Sequence, residues 1–107
     1  MLFRSIKVYR KMTSIDTLTG LNNRYALNNA LEKIKANPTK VTVISIDLNN
    51  LKLINDTLGH AFGDKAIIEV GNYLNENIPN SQVYRIGGDE FLVLSNDILL
   101  RDRKSVV

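Results

Sequence analysis

Val83-Tyr84-Arg85-Ile86, Gly87-Gly88-Asp89-Glu90 and Phe91-Leu92-Val93-Leu94 form two apolar, β-prone runs around four turn-forming residues. The pattern predicts a β-hairpin with its turn at 87–90. Upstream, Val41-Thr42-Val43-Ile44-Ser45-Ile46 is β-branched and apolar on both faces, which predicts a buried strand ending at Asp47. Between strand and hairpin, residues 50–58 read as a short helix closed by Gly59 as its C-cap. A longer helix over 64–77 follows, with Ile67, Ile68, Tyr73 and Leu74 as candidate core positions. Nearer the N-terminus, Tyr25, Leu27, Leu31 and Ile34 predict a helix over 23–36, stopped by Asn37-Pro38. Residues 16–21 form a polar turn carrying Leu18 and Leu21, and residues 1–12 read as an amphipathic linker helix.

This order has a geometric consequence. If the strands at 41–46 and 83–86 run the same way, a right-handed crossover joins them and their C-terminal ends share one edge of the sheet. Asp47 lies just past the first end, and Asp89 and Glu90 lie in the turn past the second. The three carboxylates then converge beside two glycines. Hard divalent cations prefer oxygen ligands, and a pair of them can clamp an in-line phosphoryl displacement. Gly87 and Gly88 allow positive φ and close approach of a bulky ligand. Each feature alone also suits an ordinary turn or strand end; together they point to a site.

The 107 residues suffice for one small domain. Hydrophobic residues make up 44% and charged residues 23%, as in ordinary globular proteins. Without cysteine there is neither a disulfide framework nor a thiolate metal site. No apolar run reaches transmembrane length, and with Arg4, Lys7, Arg10 and Lys11 scattered through it the N-terminus does not resemble a signal peptide. A cytoplasmic domain without membrane contact is expected. A net charge of +3 is too mild to indicate nucleic-acid binding.

The motifs resemble a known family. Arg85-Ile86-Gly87-Gly88-Asp89-Glu90-Phe91 carries the signature for which GGDEF diguanylate cyclases are named. Asp16-x-Leu18-Thr19-Gly20-Leu21-x-Asn23-Arg24 resembles the N-terminal motif of that family. Asp47-Leu48-Asn49-Asn50-Leu51-Lys52-x-Ile54-Asn55-Asp56-x-x-Gly59-His60-x-x-Gly63-Asp64 resembles its central motif. The resemblance implies an α/β (α+β) fold with a ferredoxin-like sheet and flanking helices, related to the palm of polymerases and class III nucleotide cyclases. It also implies condensation of two GTP into cyclic di-GMP, with Mg2+ or Mn2+, a homodimer and an upstream sensory domain.

By this resemblance Asp47, Asp89 and the Leu48 carbonyl would hold metal, Glu90 would lie at the reacting centre, and Lys52 would oppose phosphate charge. Asn55 and Asp64 would read guanine, with His60, Gly87 and Gly88 also lining the substrate site. Adjacent N–H donors on guanine suit a carboxylate acceptor, and adenine cannot satisfy it in the same way. Asp64 could instead be a helix N-cap, and His60 could simply fix its loop. Asp56, Asp16 and Arg24 are expected to hold the fold.

Several positions depart from the family pattern. Asn49 stands where many members have an acid, and Asn50 and Leu51 where many have aromatics. Ile78 and Ser81 stand where product-inhibited members carry the Arg and Asp of an inhibitory site, so no such site is expected. The partial domain is expected over 13–101, without the later helix, strand and basic residues that grip the triphosphate. Residues 102–107 can be back-translated to match a common sequencing adapter. They are expected to be a non-native tail, and Arg101, Arg103 and Lys104 are not read as a phosphate patch. The alternatives to an enzyme are a non-catalytic GTP-binding or interaction module on the same fold, and an RNA-binding ferredoxin-like domain. The latter needs exposed strand aromatics, for which Tyr84 alone is thin support.

Overall fold

The computed structural model describes residues 13–97. The expected linker helix over 1–12 and the 102–107 tail lie outside them. The first helix, α1, spans Arg24–Ala36. Asn23 caps it, its side chain accepting from the Ala26 N–H at 3.0 Å. Lys33 and Lys35 lie in its last turn, where cations suit the helix dipole. Asn37 precedes Pro38, a position that disfavours further helix.

Strand β1 spans Thr42–Asp47, followed by helix α2 at Leu51–Leu58 and helix α3 at His60–Asn77. Strands β2, Ser81–Arg85, and β3, Glu90–Ser95, complete the described chain. The sheet order is β1-β3-β2, and β3 is antiparallel to both neighbours. β1 and β2 therefore run in the same direction but are not adjacent. Their C-terminal ends share one edge, as the sequence predicts, with the hairpin's return strand between them.

The larger core lies between one face of the sheet and α3. Ile67 and Leu74 pack there with Val83, Phe91 and Val93. Gly71 lets the helix come close: a Cβ there would lie 2.9 Å from Leu21 Cδ1 and 3.4 Å from Phe91 Cε1. On the opposite face Leu27 of α1 packs with Tyr84 and Leu94. Tyr84 is only 5% exposed, which removes the aromatic support for an RNA-binding surface.

Three expectations need correction. β1 is not covered on both faces: its residues alternate between half-buried and exposed, and Val43 is 56% exposed. It is an edge strand of the described sheet, and α1 packs toward β2 instead. The long helix begins at His60 rather than at 64, so Asp64 lies inside it and is not its N-cap. Tyr73 is 64% exposed rather than core. The buried positions 67, 71 and 74 define the inner stripe, and Tyr73 lies about 200° around the helix from Gly71. No described helix is long and apolar enough to cross a membrane.

The 13–23 segment is tied to β2 by a charged knot. Arg85 Nη1 approaches Asp16 Oδ1 at 3.1 Å, and Nη2 donates to the Gly88 carbonyl at 3.0 Å. Asp16 Oδ2 also accepts from the Thr19 N–H and hydroxyl, at 2.9 and 2.7 Å. Asp16 is thus a fold-holding contact, as expected. Arg24 plays a similar part through Nε, which donates to the Ile86 carbonyl at 3.3 Å.

Burial pushes the Asp16 carboxyl upward, but the Thr19 hydrogen bonds and the Arg85 guanidinium outweigh it and hold it below its usual range. A depressed carboxylate stabilises the fold above its unfolded value, about 3.9, and that contribution is lost as pH falls through the folded value. Asp16→Asn is therefore expected to lower stability near neutral pH by about 2 kcal/mol, the scale of a charge-assisted hydrogen bond. It should also flatten the loss of stability below about pH 4. Urea unfolding across that range checks both; an equally steep acid loss in the variant would contradict the assignment.

Candidate active site

The site begins where β1 meets β3. Asp47 is paired in register with Glu90, and the chain then leaves the sheet. The Leu48 N–H donates to the Asp89 carbonyl at 2.8 Å, extending the contact past the strand end. Asp47, Leu48 and Asp89 thereby line one cleft of about 510 Å3. The residues from Asn49 to Leu53, with Asp56, complete its lining. Asn50 turns the chain into α2 at φ 67°, a left-handed conformation that asparagine tolerates well. Leu51 packs against the larger core. The two departures from an aromatic pattern thus serve a turn and a packing contact.

Lys52 stands at the mouth of the cleft. Its Nζ lies 3.4 Å from Asp56 Oδ2, with side chains 89% and 64% exposed. Such a surface pair is weak, so Lys52 can turn to an incoming anion at little cost. Asp56, expected to hold the fold, makes only this exposed pair among the described residues and lines the cleft.

The predicted site residues do not form one cluster. Glu90 shares the edge with Asp47 but does not line the cleft, and its carboxylate lies over Gly87. Among the described residues no three His, Cys, Asp or Glu side chains are gathered closely enough to hold a metal. The expected convergence of three carboxylates is thus an edge shared by three residues, with two of them in the cleft. Asp47, Asp89 and the carbonyl beside them form an all-oxygen donor set, which fits Mg2+ completed by ligand phosphates.

Gly87 and Gly88 do not use the positive φ that glycine allows. Gly87 is needed for space, since a Cβ there would lie 2.9 Å from Glu90 Oε1. Gly88 faces open space, and its carbonyl is held by Arg85. Both glycines border a second cleft of about 330 Å3 with Asp16, Asn23, Arg24 and Arg85.

Asn55, His60 and Asp64 lie on the α2–α3 pair, outside the first cleft. Asn55 is half-buried, while His60 and Asp64 are exposed. Gly59 joins the helices at φ 95°, and its N–H donates to the Asn55 carbonyl at 3.0 Å. This bears out its C-cap role and fixes the bend that brings Asn55 toward the first turn of α3.

Two positions carry roles that motif reading did not assign. Arg85 pins the signature turn, and Gly63 lies beneath the Asn55 carboxamide. Arg85 was findable: the alternation that turns Val83 inward also turns residue 85 inward, where a charge needs a partner. Gly63 was hidden because a helix starting at 64 leaves it in a loop, where glycine needs no explanation.

Comparison with known proteins agrees with this architecture. Residues 13–106 match the family described as diguanylate cyclase, GGDEF domain. The diguanylate cyclase DgcP of Escherichia coli is 46% identical over 85 residues, covering 75% of this chain and 25% of that protein. The cyclic di-GMP phosphodiesterase PdeR of the same organism is 38% identical over 91 residues, covering 82% of this chain and 14% of its own length. A sensory box/GGDEF family protein from Caulobacter crescentus superimposes with a TM-score of 0.66 at 36% identity, over 78% of this chain and 56% of that one. The chain thus spans a quarter or less of these two curated relatives. The likeness bears out the ferredoxin-like, palm-related sheet. With the matched family covering most of its length and the signature turn set at the shared sheet edge, this chain belongs to the GGDEF domain family.

Proposed function

We propose that the parent protein is a diguanylate cyclase that condenses two GTP into cyclic di-GMP. The observation that carries this reading is the Leu48–Asp89 backbone bond, which joins Asp47 and Asp89 in one cleft beside Lys52 and the first turn of α2. Asp47, Asp89 and the Leu48 carbonyl would hold Mg2+ or Mn2+. When bound, the cation supplies neutralisation of phosphoryl charge. Lys52 and the free N–H groups at the start of α2 receive the phosphates. Glu90 lies at the edge where the attacking 3′-hydroxyl is accepted. The 3′-hydroxyl oxygen, losing its proton to solvent, bonds to the α-phosphorus of the other GTP, the α–β anhydride bond breaks, and pyrophosphate leaves. Repetition on the second nucleotide closes the ring. Each subunit of a homodimer presents one GTP, and an upstream sensory domain governs their meeting.

A second reading is a non-catalytic GTP-binding or regulatory module. It is favoured by the match to a phosphodiesterase over much of the chain and by the loose spacing of the carboxylates. Metal-dependent turnover separates the two. Asp47→Asn is expected to lower cyclic di-GMP synthesis by the parent protein at least about 100-fold, the scale of losing one charge-stabilising group. Removing the divalent cation should abolish it. Undiminished synthesis by the variant would refute the metal assignment.

The base is read by Asp64 and Asn55. Asp64→Ser removes the acceptor for both guanine donors and is expected to narrow the preference for GTP over ATP by about 1–3 kcal/mol. Competition between the two nucleotides measures it, and an unchanged preference would release Asp64 from that role.

Control by product binding is not expected. Ile78 packs against the core, and the Ser81 hydroxyl donates to the Ile78 carbonyl at 2.8 Å. Neither offers the guanidinium or carboxylate an inhibitory site requires. Progress curves of the parent enzyme should be insensitive to added cyclic di-GMP. Submicromolar product binding that survives substitution of Asn55 and Asp64 would overturn this.

A further inference from the structure

Gly63 is a glycine without a backbone reason to be one. It lies in the first turns of α3, where φ is negative and alanine is the better helix former. It is buried, yet the apolar core does not crowd it. The three nearest atoms that a Cβ would meet all belong to the Asn55 side chain. It would overlap Oδ1 outright and lie 2.9 Å from Cγ and 3.5 Å from Nδ2. The Asn55 carboxamide therefore rests on the bare backbone of α3, in the space a side chain at 63 would fill. Among the described residues that carboxamide has no hydrogen-bond partner within the protein, whereas the other half-buried asparagines, Asn22 and Asn23, both use theirs. An amide packed in place by shape, with its donors and acceptor uncommitted to the protein, is free to meet solvent or a ligand.

We infer that Gly63 is a positioning residue for nucleobase recognition: by lacking a side chain it fixes the Asn55 carboxamide in the orientation that reads the base. This rests on the proposed assignment of Asn55 to guanine. The clash would fall on the mobile end of a side chain rather than on backbone. Gly63→Ala should thus leave the helix intact, displace Asn55 and leave Lys52 and the phosphate cleft untouched. The loss should be confined to the base.

The test uses Gly63→Ala, Asn55→Ala and the double variant in the 107-residue chain. Thermal unfolding and the Asn55 side-chain amide signals in 15N NMR are followed, with titrations of GTP and of inorganic tripolyphosphate. Gly63→Ala is expected to shift the Asn55 amide pair and weaken GTP at least about 10-fold while tripolyphosphate binding stays unchanged. The double variant should bind GTP no more weakly than Asn55→Ala alone, because both changes remove one interaction. If Gly63→Ala is less stable than the unsubstituted chain, adding Asn55→Ala should recover the loss, since the conflict is between these two residues. An unmoved amide pair, additive effects, or equal weakening of tripolyphosphate overturns the inference. If Asn55→Ala weakens GTP and Gly63→Ala does not, the role of Gly63 fails. If Asn55→Ala binds GTP like the unsubstituted chain, the guanine assignment itself fails.

Discussion

The register between β1 and β3 is the constraint on which the rest of the site depends. Side chains alternate along a strand, so a slip of one residue would exchange the faces of the whole pairing. In the observed register Ile44 opposes Val93 and Ile46 opposes Phe91, which places both pairs in the larger core. The same register sets Asp47 against Glu90 and leaves the Leu48 N–H in reach of the Asp89 carbonyl. Apolar packing in the middle of the sheet thus dictates where the acids lie at its end. The polar residues themselves contribute little to that choice.

The signature turn is held from the other side by Arg85. Its guanidinium spans the N-terminal turn, through Asp16, and the hairpin, through the Gly88 carbonyl. A further backbone bond, from the Arg85 N–H to the Asn22 carbonyl at 2.8 Å, sews the same two segments together. The turn is therefore anchored at both ends, by β1 through Leu48 and by the 13–23 segment through Arg85. The 13–23 segment and the Gly88 carbonyl are thus joined through one side chain.

The α2–α3 pair is built differently. Its bend is made by Gly59, and its closeness by Gly63, one acting through backbone freedom and the other through absent volume. Asn55 is half-buried between them and keeps its side-chain groups uncommitted. Under the proposed function, phosphate chemistry falls to the sheet edge and α2's start, and base reading to the helix pair.

Much of the fold was legible in the residues alone. The hairpin at 83–94, the strand ending at Asp47, the capped helix before Gly59 and the shared edge of β1 and β2 follow from periodicity, turn residues and crossover handedness, which are local or nearly local in cause. The motifs likewise named Asp47, Lys52, Asn55, Asp64, Asp89 and Glu90. What could not be read was distance. Whether Glu90 joins Asp47 and Asp89 in a cluster depends on side-chain direction at a strand end, and whether Val43 is covered depends on where α1 docks. The start of α3 was misplaced because Gly59 and Gly63 both resemble breakers in one dimension. Only packing in three dimensions shows that the first bends the chain and the second makes room for an amide.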